Sequence, residues 1–269
     1  MQDRMVAAVC VVCMAAGFAT GFWLAGMPEN EMDQEVIYQV STIDALLQGS
    51  CEGTMTFGEV KKHGDFGIAT FDSLDGEMIA LGGDFYQIKA DGQVVAVTDD
   101  MTTPFGSVTF FSQDCTFPIR YAANFSDFSR QAEAFLPSRN HMYAIQIHGE
   151  FPYVKARSIP RQDTPNTRLV DAAANQSIFE FHETRGTVVG FWTPDLVGGL
   201  NVPGFHLHYI TEDRSAGGHI LDFVLENATE EMDVTSRFTV VLPTEGSFTE
   251  VDLSDDLSHE LAVAEKDSA

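Results

Sequence analysis

The stretch GFHLHYITEDRSAGGHILDF, Gly204 to Phe223, constrains this chain more than any other part of it. Its first half alternates, and residues i and i+2 of a β-strand share a face. His206 and His208 therefore project together while Leu207 points to the core. Ser215 to Gly218 supplies turn chemistry, and a hairpin centred near Asp213 returns the chain, bringing His219 opposite His208 or its neighbour. Cross-strand Cβ atoms lie ~4.5–5.5 Å apart, close enough for three imidazoles to converge on one ion at ~2.0–2.1 Å each. Three protein ligands with one position open is the arrangement of a catalytic zinc site. The plainer alternative is three polar histidines on a hairpin surface.

The rest of the chain reads as short strands with brief helices. Strand-like runs cover Thr54–Val60, Phe66–Phe71, Met78–Leu81 and Val108–Ser112, and Tyr86–Val97 reads as a hairpin about Asp91-Gly92 with a type I′ turn. Tyr143–His148, Val154–Arg157, Thr187–Thr193, His219–Leu225 and Arg237–Leu242 continue the pattern. Capped helices are expected at Ser41–Leu47 and Ser126–Phe135, with another around Leu169–Asn175. Two sheet-rich domains with mixed β-sheets and few short helices make an α+β chain. The expected division is 36–150 for an N-terminal domain and 151–243 for a C-terminal zinc-binding domain. An acidic tail, 244–269, follows, with eight acids, one Lys and one short helical stretch at most.

Residues 5 to 27 carry no charge over twenty-three positions, long enough for a helix to span a bilayer of ~30 Å. With the acidic linker that follows, residues 1–35 read as an export segment, either a cleaved signal peptide or an uncleaved anchor, so the protein is expected outside the cytoplasm or at a membrane. Forty acidic residues stand against fifteen basic ones, a net charge of -25. Such a surface repels phosphate backbones, which excludes nucleic acid as a partner. Cys10 and Cys13 form a CxxC inside the apolar run and read as small membrane-embedded residues. Cys51 and Cys115 are either thiols or one disulfide.

Two further places carry chemistry. In VKARSIP, Val154 to Pro160, Lys155 and Arg157 alternate onto one strand face, where a guanidinium can hold a carboxylate through two parallel hydrogen bonds. An Arg paired with a surface acid is the ordinary alternative. In LDGEM, Leu74 to Met78, Glu77 stands just past a turn at the start of a strand, a position where a carboxylate is usually solvated. LGGDFY, Leu81 to Tyr86, lacks the second acid of a cyclase signature and reads as a Gly turn. Phosphate-binding Gly loops and a nucleophile elbow are missing from the sequence. His63, His141, His148, His182 and His259 are scattered and read as structural.

Taken in order, IYQVSTIDALLQG, GDFGIATFDSLDGEM, VKARSIP, RGTVVGFWTP and GFHLHYITEDRSAGGH resemble the α-acetolactate decarboxylase family from about Ile37 to the C-terminus. The resemblance implies zinc-dependent decarboxylation of 2-acetolactate to (R)-acetoin by a sheet-rich homodimer. It puts the metal ligands on His206, His208 and His219, the site arginine on Arg157 and the first glutamate on Glu77. A second, late glutamate falls on Glu265, with Glu260 as an alternative in a loosely aligned tail. The long apolar N-terminus departs from the family's short leader. Two other classes fit the residues alone: a three-His zinc hydrolase and a non-catalytic exported metal-binding protein.

Overall fold

The computed structural model describes residues 34–265, so the apolar run 5–27, with Cys10 and Cys13, lies outside the described residues. In chain order the first layer is built from β1 (Val36–Val40), α1 (Ile43–Leu47), β2 (Met55–Thr56), α2 (Phe57–Val60), β3 (Phe66–Thr70), β4 (Glu77–Leu81), β5 (Asp84–Ile88), β6 (Val94–Ala96), β7 (Thr102–Thr103) and β8 (Gly106–Thr109). The second comprises β9 (Cys115–Ala122), α3 (Phe125–Glu133), β10 (Met142–Ser158), α4 (Leu169–Ala173), β11 (Ser177–Thr193), β12 (Gly204–Thr211) and β13 (Gly217–Thr235). The chain then returns to the first layer with β14 (Arg237–Val241) and ends in α5 (Ser258–Glu265).

The first sheet runs β14-β1-β8-β3-β4-β5-β6, with β1 and β14 parallel and the remaining pairs antiparallel. The second runs β10-β11-β12-β13-β9, and β10 also pairs with β13, closing the sheet on itself. The expected mixed, sheet-rich α+β architecture is therefore present. Ile37, Phe66, Ile68 and Ile79 of the first sheet meet Ala144, Val189, Phe191 and Ile210 of the second. Each large apolar side chain buried there contributes ~1.5–3 kcal/mol. Phe66 and Phe191 add an edge-on ring pair across the layers, 6.2 Å between centroids. The outer faces are covered by α2, through Phe57 and Val60, and by α3, through Phe128 and Ala132. A separate apolar cluster joins α1, α4 and α5.

The division expected at 150/151 falls inside β10, and the described residues from Glu35 onward form one unit. At 17 and 19 residues, β10 and β13 greatly exceed the usual 5–6. Register shifts at His148/Glu150, Glu150/Tyr153 and Lys155/Ala156 bend the β10–β13 ladder, and Gly149 and Pro152 lie in this stretch. That interruption is why β10 reads as two strands in sequence.

Two local expectations are corrected, and one strand went unread. Thr54–Val60 is not one strand: Thr56 accepts the N–H of Glu59 at 3.3 Å and starts α2 instead. The β5–β6 turn is not type I′, because Asp91 lacks a positive φ; the Gly92 N–H donates to the Lys89 carbonyl, and Gly92 alone is left-handed, at +86°. Strand β9 was masked in the sequence by Pro118, which is tolerated because β9 is an edge strand paired only with β13. Cys51 and Cys115 are free thiols rather than a disulfide. No helix among the described residues is long and apolar enough to cross a membrane.

Candidate metal centre and active site

Strand register assembles the site. In the β12–β13 ladder His208 stands directly opposite His219, and in the β10–β13 ladder His219 stands directly opposite Arg157. His206, two residues before His208, shares its face. The second glycine of the Gly217-Gly218-His219 run has a positional reason: its φ is +149°, and a Cβ there would sit 2.4 Å from the Arg157 carbonyl oxygen. Only glycine lets β13 approach β10 closely enough to bring His219 beside Arg157.

The three imidazoles form a nearly equilateral triangle, with centroid separations of 5.4, 5.0 and 5.3 Å. One ring nitrogen from each lies within 4.8 Å of the others. His208 Nδ1 is 3.0 Å from the Met78 carbonyl. A carbonyl can only accept, so Nδ1 carries the proton and Nε2 keeps its lone pair. His219 Nε2 is buried with no hydrogen-bond partner. Burial lowers the pKa of all three, and those of His208 and His219 fall well below the ordinary imidazole value, with Arg157 and the neighbouring rings adding to the effect. Neutral, converging imidazoles with an unsatisfied nitrogen suit a borderline divalent metal such as zinc.

Two carboxylates flank the triangle. Glu77, 6% exposed at the start of β4, has Oε2 3.8 Å from His208 Nε2. Burial pushes its pKa up to about 7; Arg157 opposes this and Glu265 reinforces it. Glu77 is thus not the solvated carboxylate usual at such a turn. Glu265, at the end of α5, places Oε2 3.5 Å from His219 Nε2 and 3.7 Å from His206 Nε2, with Oε1 3.6 Å from Arg157 Nη2. The acidic tail therefore folds back. Leu257 and Ala264 are buried in the cluster with α1 and α4, and Leu261 packs against it. Glu260 is elsewhere, 3.9 Å from Arg168.

Arg157 is 3% exposed. Its Nη1 donates to Gln176 Oε1 at 3.1 Å and to the Ala264 carbonyl at 2.6 Å, while its Nε is buried without a partner. The anchored nitrogen orients the plane, and the Nε/Nη2 edge, held only by the 3.6 Å contact to Glu265, is the one a carboxylate can take side-on. These groups line a cavity of ≈ 40 Å³ whose apolar wall includes Ile43, Leu46, Leu74 and Phe105. All six expected site residues meet there. Gln176 and the carbonyls of Met78 and Ala264 had no sequence signal, because a backbone oxygen has no motif and a lone Gln beyond a short helix looks like surface.

Comparison with known proteins shows the family to which the chain belongs. A family model described as alpha-acetolactate decarboxylase matches residues 37–255. The chain is 50% identical over 232 residues to the alpha-acetolactate decarboxylase of Methanosarcina mazei, covering 86% of this chain and 81% of that one. It is 42% identical over 236 residues to the Methylococcus capsulatus protein of the same name, covering 87% and 90%. The crystal structure of alpha-acetolactate decarboxylase from Bacillus subtilis strain 168 superposes with a TM-score of 0.83 at 39% identity, over 87% of this chain and 100% of that one.

Proposed function

The chain belongs to the alpha-acetolactate decarboxylase family and is a carboxy-lyase, and from that premise we propose that it converts 2-acetolactate to (R)-acetoin and CO₂ at the triangle of His206, His208 and His219, with one zinc ion per chain as cofactor. The observation that carries the reading is the convergence of three neutral imidazoles, an arginine with an open bidentate edge and a carboxyl of raised pKa on one small cavity.

The three histidines would hold the ion, which when bound supplies a Lewis acid to the ketone and hydroxyl oxygens of the substrate. Everything else falls to the chain's own groups. Arg157 takes the substrate carboxylate on Nε and Nη2, displacing its loose contact with Glu265, and Gln176 and the Ala264 carbonyl keep the guanidinium from turning. The carbon–carboxylate bond then breaks, CO₂ leaves, and the electron pair passes into the adjacent ketone. A proton must next reach carbon on one face. Glu77, with a pKa raised to about 7 by burial, is protonated to a large extent near neutrality and can donate it. Glu265, carried by α5, stands between the histidines and Arg157, where it would help to screen the reacting centre from bulk water.

The test is acetoin formation from racemic 2-acetolactate by the purified protein, with a chelator and after zinc is restored. Acetoin that appears, falls with chelation and returns with zinc is the expected result; no acetoin, or activity indifferent to the chelator, overturns the reading. Homodimer formation and placement of residues 5–27 at or beyond a membrane belong to the same proposal, the latter supported by the uncharged run. Gel filtration of the purified chain and fractionation of the native cell test them; a monomer, or full-length protein in the cytosol, refutes them.

A further inference from the structure

β13 carries a histidine of the site near its start and a second cluster near its end. Among the described residues, Glu35, Asp114 and Asp233 each bring a carboxylate oxygen to a group in which these oxygens lie within 4.8 Å of one another. The three come from different places in the fold. Glu35 immediately precedes β1 in the first sheet, with its carbonyl accepting the Arg237 N–H at 2.9 Å. Asp114 immediately precedes β9, and Asp233 lies within β13, both in the second sheet.

Asp233 is fully buried. Its Oδ2 accepts the Ser112 N–H at 3.0 Å, from the segment following β8, but its Oδ1 is buried with no hydrogen-bond partner at all. Asp114 is more exposed, and its Oδ2 accepts the Val234 N–H at 2.9 Å. Asp65, whose Oδ1 accepts the Phe111 N–H at 3.0 Å, adds another negative charge nearby, while Arg237 opposes that of Glu35. A fully buried carboxylate with one oxygen lacking any donor, grouped with two more carboxylates, lacks a positive partner.

We propose that Glu35, Asp114 and Asp233 form a second cation site, separate from the histidine triangle, that takes one hard divalent ion of the calcium or magnesium class and ties the entrance of β1 to β9 and β13. The donor set is all oxygen, without the imidazole or thiolate that zinc prefers, and hard ions take such sets with water completing their coordination. The raised pKa of Asp233, about 7, follows from burial and then from repulsion by Glu35, Asp114 and Asp65, the strain that a cation relieves. Because the ligands span both sheets, ion binding stabilises their docking by mass action.

The experiment titrates the zinc-loaded, full-length protein with CaCl₂ and, separately, MgCl₂, following calorimetric heat and melting temperature. One saturable site per chain for at least one ion, with a melting temperature that rises to a plateau, is expected. Asp233→Asn should weaken binding ~tenfold or more and abolish the rise. Since that change is buried, Asp114→Asn, nearer the surface, provides the same test without disturbing the core. His208→Ala should leave calcium or magnesium binding intact, separating this site from the catalytic one. Absence of saturable binding of either ion to the wild type, or affinity unchanged in a folded Asp233→Asn or Asp114→Asn protein, overturns the proposal.

Discussion

Glu230 gives the sharpest stability prediction. It lies in β13, opposite Ile147 of β10, on the same face as Ala228 and Met232 of the apolar core. It is fully buried, and neither carboxyl oxygen has a hydrogen-bond partner. Burial pushes its pKa from 4.5 up to about 8. An acid whose pKa is raised by folding contributes stability that is fully present below pH 4.5 and is lost as pH climbs towards 8, since the native state keeps a proton that the unfolded chain releases. At ~1.4 kcal/mol per pH unit the loss reaches ~3 kcal/mol at pH 7 but under ~1 kcal/mol at pH 5. Glu230→Met, similar in volume and without charge, removes that loss. In urea unfolding of the zinc-saturated proteins, the advantage of the variant should grow by ~2–3 kcal/mol between pH 5 and pH 7. An advantage that does not change with pH, or a variant less stable than wild type at pH 7, refutes the argument that Glu230 is held as an uncompensated buried acid.

Three substitutions probe the site. Arg157→Lys keeps the charge but loses the planar fork that Gln176 and the Ala264 carbonyl orient, so kcat/KM for acetolactate should fall ~100-fold, equivalent to ~2.7 kcal/mol of transition-state stabilisation; near-normal kinetics would remove the bidentate role. Glu77→Gln should retain zinc by metal analysis yet lose turnover, and a fully active variant would exclude Glu77 as the proton donor. Truncation after Ser258 removes Leu261, Ala264 and Glu265 and leaves Arg157 Nη1 without one of its acceptors, so activity should collapse while zinc stays bound. Glu265→Gln is the finer probe, and normal turnover in both would make the tail dispensable.

What sequence reasoning could reach follows from how locally each feature is encoded. The alternation of His206 and His208, and the turn before His219, are short-range properties of a hairpin, so the grouping of the three was readable directly, with His219 opposite His208 or its neighbour; the ladder pairs it with His208. The pairing of Arg157 with His219 depends on β10 closing against β13, a long-range contact that no spacing records. The docking of α5 was less legible still. Its apolar residues make no single stripe, and Glu265 reaches the site only because Leu257 and Ala264 bury themselves against α1 and α4. Periodicity fails where a ladder is bent, as through Gly149 and Pro152, or where an edge strand accepts a proline, as at Pro118.

The central claim is that three neutral histidines hold the metal on which decarboxylation depends. It is tested most directly by measuring zinc per chain and acetoin formation together, in the wild type and in His208→Ala. His208 is chosen because its Nδ1 is tied to the Met78 carbonyl, which leaves the Nε2 lone pair available as a ligand. The expected result is one zinc per wild-type chain, and a variant that keeps the far-ultraviolet circular dichroism of the wild type but loses both zinc and acetoin. A folded His208→Ala protein with its full zinc content, or one that makes acetoin at the wild-type rate, would contradict it.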